Sequence, residues 1–281
     1  MRASPGIVAA LVAVAHALCG CHSVAPPSTA ALDALLKSSP VRRDQVVLEV
    51  YQVRVPPEQV ATAAAAWAAV DEQFLDADLR TRLLANGLRA GVVGNSMPAA
   101  LAGMLQLADE ATDASAERVV DEQSVAPPVT KQIRQLVSQQ EMQTHVGPLR
   151  ESLDLLISDE TVHGQSYAPV QPTYLVKASP ESGQRVRLQV TPELQHGDIR
   201  NRVTGGQQGA FMFTASRDRE PFPALRIEAE LAPGDALLLG GLDDAPGSLG
   251  AAFHAAGASG DGRLVLIRVA KVPESEILAE K

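Results

Sequence analysis

From residue 153 onward runs of apolar residues at every second position recur, and this period marks the second half of the chain as mostly β-structure. Leu153, Leu155 and Ile157 alternate with polar residues, as do Val186, Leu188 and Val190, and again Leu225, Ile227, Ala229 and Leu231. Successive side chains of a strand point to opposite faces, so such runs bury one face and wet the other. Ala236 to Leu239 is apolar on both faces. Ahead of it, Ala232-Pro233-Gly234-Asp235 places Pro and Gly where a type II turn wants them. Arg263 to Val272 reads as the last strand. Between 129 and 146 the pattern is ambiguous: Ile133, Leu136, Val137 and Gln140 fit a helix, but the neighbouring strands favour a strand here too. Many strands with Gly/Pro turns predict a mostly antiparallel β-rich domain over 129–273, a sandwich or a curled sheet.

Residues 41–110 read differently. Gln45 to Val55 alternates and is rich in Val, a strand that Pro56-Pro57 stops. Pro57 and Glu58 suit the first turn of a helix, on one face of which Val60, Trp67, Val70 and Phe74 fall. A second helix starts near Asp76 and Asp78, buries Leu79, Leu83 and Leu84, and stops at Asn86-Gly87. Leu88 to Gly94 is a short strand. Ser96 is the expected N-cap of a third helix carrying Leu101, Met104, Leu105 and Ala108. The fold class expected is therefore α+β, with a small N-terminal α/β module at 41–110. A polar, acidic linker at 111–128, closed by Ala126-Pro127-Pro128, leads to the β domain.

The N-terminus gives an address. Arg2 is followed by an apolar run from Ile7 to Leu18, broken only by His16. A bilayer needs about 20 residues, so the run suits a signal peptide over 1–20 rather than a membrane span. It ends in Leu18-Cys19-Gly20-Cys21, which resembles the lipobox of bacterial lipoproteins, with Leu at −3 and a small residue at −1. That resemblance implies lipidation of Cys21, whose sulfur forms the thioether. Cys19 fits badly, because His16 and Leu18 would then hold those positions. An ordinary secretory signal cut nearby is the alternative. His22 after the acceptor implies, by the same resemblance, the outer membrane facing the periplasm. Residues 21–40, rich in Ala, Pro and Ser, read as a tether.

The two cysteines, Cys19 and Cys21, both lie in this segment. The folded part thus has no disulfide, no thiol nucleophile and no cysteine zinc site. Net charge is −9 with scattered basic residues, which argues against a nucleic-acid partner. His145, His163, His196 and His254 show no metal-ligand spacing, and no metal or cofactor is expected. His163 and His196 read as exposed turn residues, and so do Asp198 and Asp235. Asp159-Glu160 and Asp243-Asp244 are adjacent carboxylates that diverge in regular structure, so they read as solvated turns. No Gly-x-Ser-x-Gly elbow is present. Gly91 and Gly94 fit neither phosphate-binding fingerprint and read as a tight strand end. Trp67 reads as core. Arg185 with Arg187, and Arg200 with Arg202, share strand faces, either solvated or meeting an acidic partner.

Some residues resemble a known family. Val190-Thr191-Pro192-Glu193-Leu194 is similar to the strand-Pro-strand step in the C-terminal domain of bacterial secretins. The run from Pro233 to Leu242 resembles their Gly-acid, apolar, Gly-Gly-Leu segment. Asp244-Ala245-Pro246 with Leu249, Gly250 and Phe253 looks like a stretched form of their Asp-x-Pro segment. The likeness spans about a third of the chain. Spacing around Asp244 departs from the family's, and no pair of lipid-facing strands is evident. The chain as a whole resembles bacterial envelope lipoproteins of no defined activity. These features imply a non-enzymatic, lipid-anchored structural or assembly component, partnered by the membrane and by other envelope proteins or its own copies. The alternative is a periplasm-facing binding module for a small molecule, glycan or peptide.

Overall fold

The computed structural model describes residues 45–105, 129–158, 161–205, 211–242, 245–255 and 260–273. The signal peptide, the tether, Cys21, the linker, Ala108, Asp159-Glu160 and Asp243-Asp244 lie outside them. All described elements belong to one compact unit, 41–281. In chain order they are β1 (Gln45–Val55), α1 (Val60–Ala68), α2 (Ala77–Ala85), β2 (Leu88–Val93), a helical turn α3 at 99–105, and β3 (Val129–Val137). Then come β4 (Glu141–His145), β5 (Leu153–Ser158), β6 (Val162–Tyr167), β7 (Val170–Glu181), β8 (Arg185–Gly205) and β9 (Phe211–Pro221). The chain closes with β10 (Ile227–Leu231), β11 (Ala236–Gly241), α4 (Leu249–His254) and β12 (Gly262–Lys271).

The architecture is mostly antiparallel β, as the alternation predicts. One sheet has five strands in the order β2-β11-β12-β1-β3, and a second runs β10-β8-β7-β4 with β9 also on β8. β5 and β6 form a separate hairpin. At 21 residues β8 is long enough to serve two partners, pairing β10 up to Val190 and β9 from Glu193 onward. The ambiguous stretch at 129–146 is strand, as β3 and β4.

The separate N-terminal α/β module is not what forms. β1 and β2 are not neighbours: β11 and β12 from the far end of the chain lie between them. The physical reason is in β11. Leu237 and Leu239 enter one core cluster, and Ala236 and Leu238 the other. A strand apolar on both faces needs a central place and cover on both sides. β1 divides in the same way, with Val46, Leu48 and Val50 facing the second sheet and Tyr51, Val53 and Val55 facing away. Against the first face pack Tyr174, Val176 and Ala178 of β7 and Val186, Leu188 and Val190 of β8. Against the other pack Ala66 and Trp67 of α1 and Leu101 and Met104 of α3. Each of these larger side chains contributes on the order of 2 kcal/mol by leaving water.

Local signals hold in part. Asp76 caps α2 by accepting from the Leu79 amide, and Gly87 leaves that helix with φ +70°. Gly234 takes φ +97° in the expected turn, where the Asp235 amide donates to the Ala232 carbonyl. Three details differ. α1 ends at Ala68, so Val70 and Phe74 pack from the loop beyond it, and Val60 is exposed. Leu84 is exposed, because the face of α2 turned inward is that of Leu83. α3 begins at residue 99, so Ser96 lies ahead of its cap.

Candidate functional site: a charged groove on the outer face of β7 and β8

On β7 and β8 the residues between the core positions point outward. There Leu175, Lys177, Gln189, Thr191 and Glu193 join Glu141 of β4 to floor a groove of about 450 Å³. Arg219 and Pro221 of β9, with Pro223 and Arg226 beyond it, form the wall. Alternation predicts an outward, wet Glu193, yet it is fully buried. The cause is Arg219, which the β8–β9 pairing lays over it. The Arg219 Nε donates to Oε1 at 2.9 Å and to Oε2 at 2.8 Å, and Nη2 donates to Oε2 at 2.6 Å. Two further charges extend the row: Arg219 Nη2 lies 3.6 Å from Glu141, whose carboxylate lies 3.0 Å from Lys177 Nζ. The signs alternate along the row. The hydrogen bond to Glu193 holds the Arg219 pKa above its ordinary value. That from Lys177, aided by Arg219 and opposed by burial, holds Glu141 below the usual carboxylate range. A carboxylate held ionised in this way, as Glu141 is, is suited to pairing with cations.

A second polar group lies inside the core. Tyr174 Oη is 2.7 Å from His254 Nε2, and His254 Nδ1 is 2.9 Å from the Arg263 carbonyl oxygen. A carbonyl only accepts, so Nδ1 carries the proton and donates to it, and Nε2 accepts from the Tyr174 hydroxyl. This satisfies every polar atom while the imidazole is neutral. Burial presses the His254 pKa from 6.5 to about 4. The unfolded chain therefore takes this proton near pH 6.5, whereas the folded chain resists it until about 4. The stability contribution is complete above that window and is lost as pH falls through it, in total about 3 kcal/mol. His254→Gln, which cannot titrate, is expected to unfold with a shallower pH dependence between 7 and 4 in thermal melts. Equal slopes in the two proteins would reject this account.

The other residues singled out by sequence are scattered. His196 Nε2 lies 3.7 Å from Glu220 and stacks edge-on with Tyr167, while His145 Nδ1 lies 3.0 Å from the Thr173 hydroxyl. His163, half-exposed in β6, lies opposite Ile157 of β5 in their hairpin. Among the described residues no group of His, Cys, Asp or Glu is arranged to hold a metal ion. Arg185 and Arg187 meet Glu230 and Glu181, and Arg200 meets Asp218, so acidic neighbours of this same chain already face them. Asp235 accepts from the Ala232 amide within its turn, whereas Asp198 is exposed. Gly91 backs onto Val70, and Trp67 is buried beneath the Arg89 guanidinium, 4.0 Å from the ring centre. Sequence reasoning gave Arg219 no role and noted Glu193 only within the secretin-like step and His254 only among the histidines. Glu193 and Arg219 are 26 residues apart and meet only through strand register.

No protein-family model matches the chain, and no curated protein matches it. Among solved structures it is similar to the type II secretin GspD from enteropathogenic Escherichia coli. The identity is 16%, the match covers 86% of this chain and 73% of that one, and the TM-score is 0.25. A superposition this loose carries no argument about strand order or activity. No described helix is long and apolar enough to cross a membrane.

Proposed function

We propose that the chain is a lipid-anchored component of the bacterial envelope that acts by binding rather than by catalysis. The observation that carries the second half of this reading is the charge row of the groove. Glu193 and Glu141 are each held by a cation, and the buried imidazole of His254 is fully engaged within the core. The first half rests on Leu18-Cys19-Gly20-Cys21 behind an apolar run. Cys21→Ala is expected to abolish labelling by a radioactive fatty acid and to release the protein from the membrane fraction. Label that persists in that variant would remove the anchor from this reading. An assembly role further expects self-association or crosslinks to envelope proteins in the mature protein.

A second reading, capture of a small molecule, glycan or peptide, is favoured by the groove itself. Leu175, Pro221 and Pro223 give it apolar surface, and Gln189 and Arg226 give it polar edges. Ligand pockets combine apolar walls with a few placed polar groups in this way.

A further inference from the structure

One end of the sandwich concentrates positive charge. Arg54 of β1 and Arg263 of β12 are direct cross-strand partners, on the face turned toward the second sheet. Arg150, at the isolated bridge to Val170, donates through one nitrogen, Nη2, to the carbonyls of Ala252 and Ala255 at 2.9 Å each. Ala255 is in turn bridged to Gly262, next to Arg263. The carboxylate that answers these cations is Asp261, 3.8 Å from Arg54 Nε. Among the described residues these three guanidinium groups face one carboxylate, an excess of two positive charges.

Arg263 is the odd member. It is half-buried, it makes no ion pair or side-chain hydrogen bond among the described residues, and its Nη1 is fully enclosed without a partner. Its Nη1 is packed against Gly147, where a β-carbon would overlap it. Burial, then Arg150 and Arg54, press its pKa down against the pull of Asp261. A half-buried cation with no counter-charge in contact is costly unless one meets it.

We infer that Arg54, Arg150 and Arg263 form a binding site for a doubly charged oxyanion, a phosphate group, carried either by a free solute or by a lipid headgroup. Guanidinium groups present paired donors that match phosphate oxygens, and two net charges match a phosphate monoester. The charged groove on β7 and β8 is a different surface, lined by none of these residues.

The test uses the full chain with inorganic phosphate at constant ionic strength, read by thermal unfolding and phosphorus NMR line width. Saturable binding in the millimolar range is expected, weakened about tenfold by Arg54→Gln. Arg54 sits at a partly exposed strand position, so this variant keeps the fold. Arg263→Gln is the second variant. Vesicles of phosphatidylcholine with and without phosphatidic acid form the other arm. Arg54-dependent binding of phosphatidic acid vesicles as well as phosphate assigns a lipid headgroup, and binding of phosphate alone assigns a solute. A phosphate response that is absent, non-saturable, or equal in wild type and both variants overturns the site.

Discussion

Gly250→Ala is expected to destabilise the protein by about 3 kcal/mol or more, lowering the urea midpoint far below that of wild type. Gly250 opens α4 where it crosses the end of α2, and a β-carbon there would overlap the Gly87 carbonyl. Neither backbone is free to retreat. The Gly250 amide donates to the Asn86 carbonyl at 2.8 Å, and the Leu242 amide donates to that of Gly87 at 2.8 Å. Asn86 is itself buried, its side chain joined to the backbone of Ser158 at the end of β5. Making room would break several of these bonds together. Gly103 supplies the control: it lies in α3, and among the described residues beyond its own helix backbone no atom lies within 4 Å of a β-carbon built there. Gly103→Ala is expected to be neutral or to stabilise by up to about 1 kcal/mol, through helix propensity. Similar midpoints for the two variants would contradict the crossing described here.

The second large effect is an asymmetry within the groove. Arg219→Ala strands Glu193, whose other side-chain hydrogen bond among the described residues comes from Gln195 at 3.4 Å. Glu193→Ala leaves Arg219 partly exposed with Glu141 still 3.6 Å away. Breaking a buried pair costs about 3–5 kcal/mol where the survivor has no substitute partner. Water entering the opened groove lowers that figure, so about 3 kcal/mol is expected for Arg219→Ala and about 1 kcal/mol for Glu193→Ala. Chemical denaturation of the two variants measures the difference. Equal losses, or a larger loss for Glu193→Ala, would mean that Glu193 does not depend on Arg219.

What could be read in advance follows from the range of the forces involved. Alternation and turn chemistry act over a few residues, so β5, β8, β10 and the turn at Gly234 are legible in the sequence. The neighbour of each strand is not, because pairing joins residues far apart in sequence. The double-faced run Ala236 to Leu239 did carry a clue: it demanded cover on both sides, which an edge strand of a separate β domain does not have. The short helix α4 escaped notice because its apolar residues Leu249, Ala252 and Phe253 occupy barely two turns. With α4 unseen, His254 was one histidine among several rather than the buried partner of Tyr174. The groove was invisible for a related reason: Glu193 has the sequence signature of any wet strand residue, and only Arg219 above it makes it otherwise.

The place of β1 in its sheet also sets an order in time. Its two edges are taken by β3 and β12, and the Glu49–Arg268 ion pair spans 219 residues. A chain emerging N-terminus first therefore exposes one unpaired edge of β1 until almost its whole length has followed. Contacts this distant slow folding, since their loop closure must be completed before they stabilise anything. During that interval the Val-rich strand is a template for any other extended segment within reach. Folding of this chain is thus a race between the arrival of β12 and the capture of β1 by a stranger, and a holdase that covers residues 45–55 would decide it.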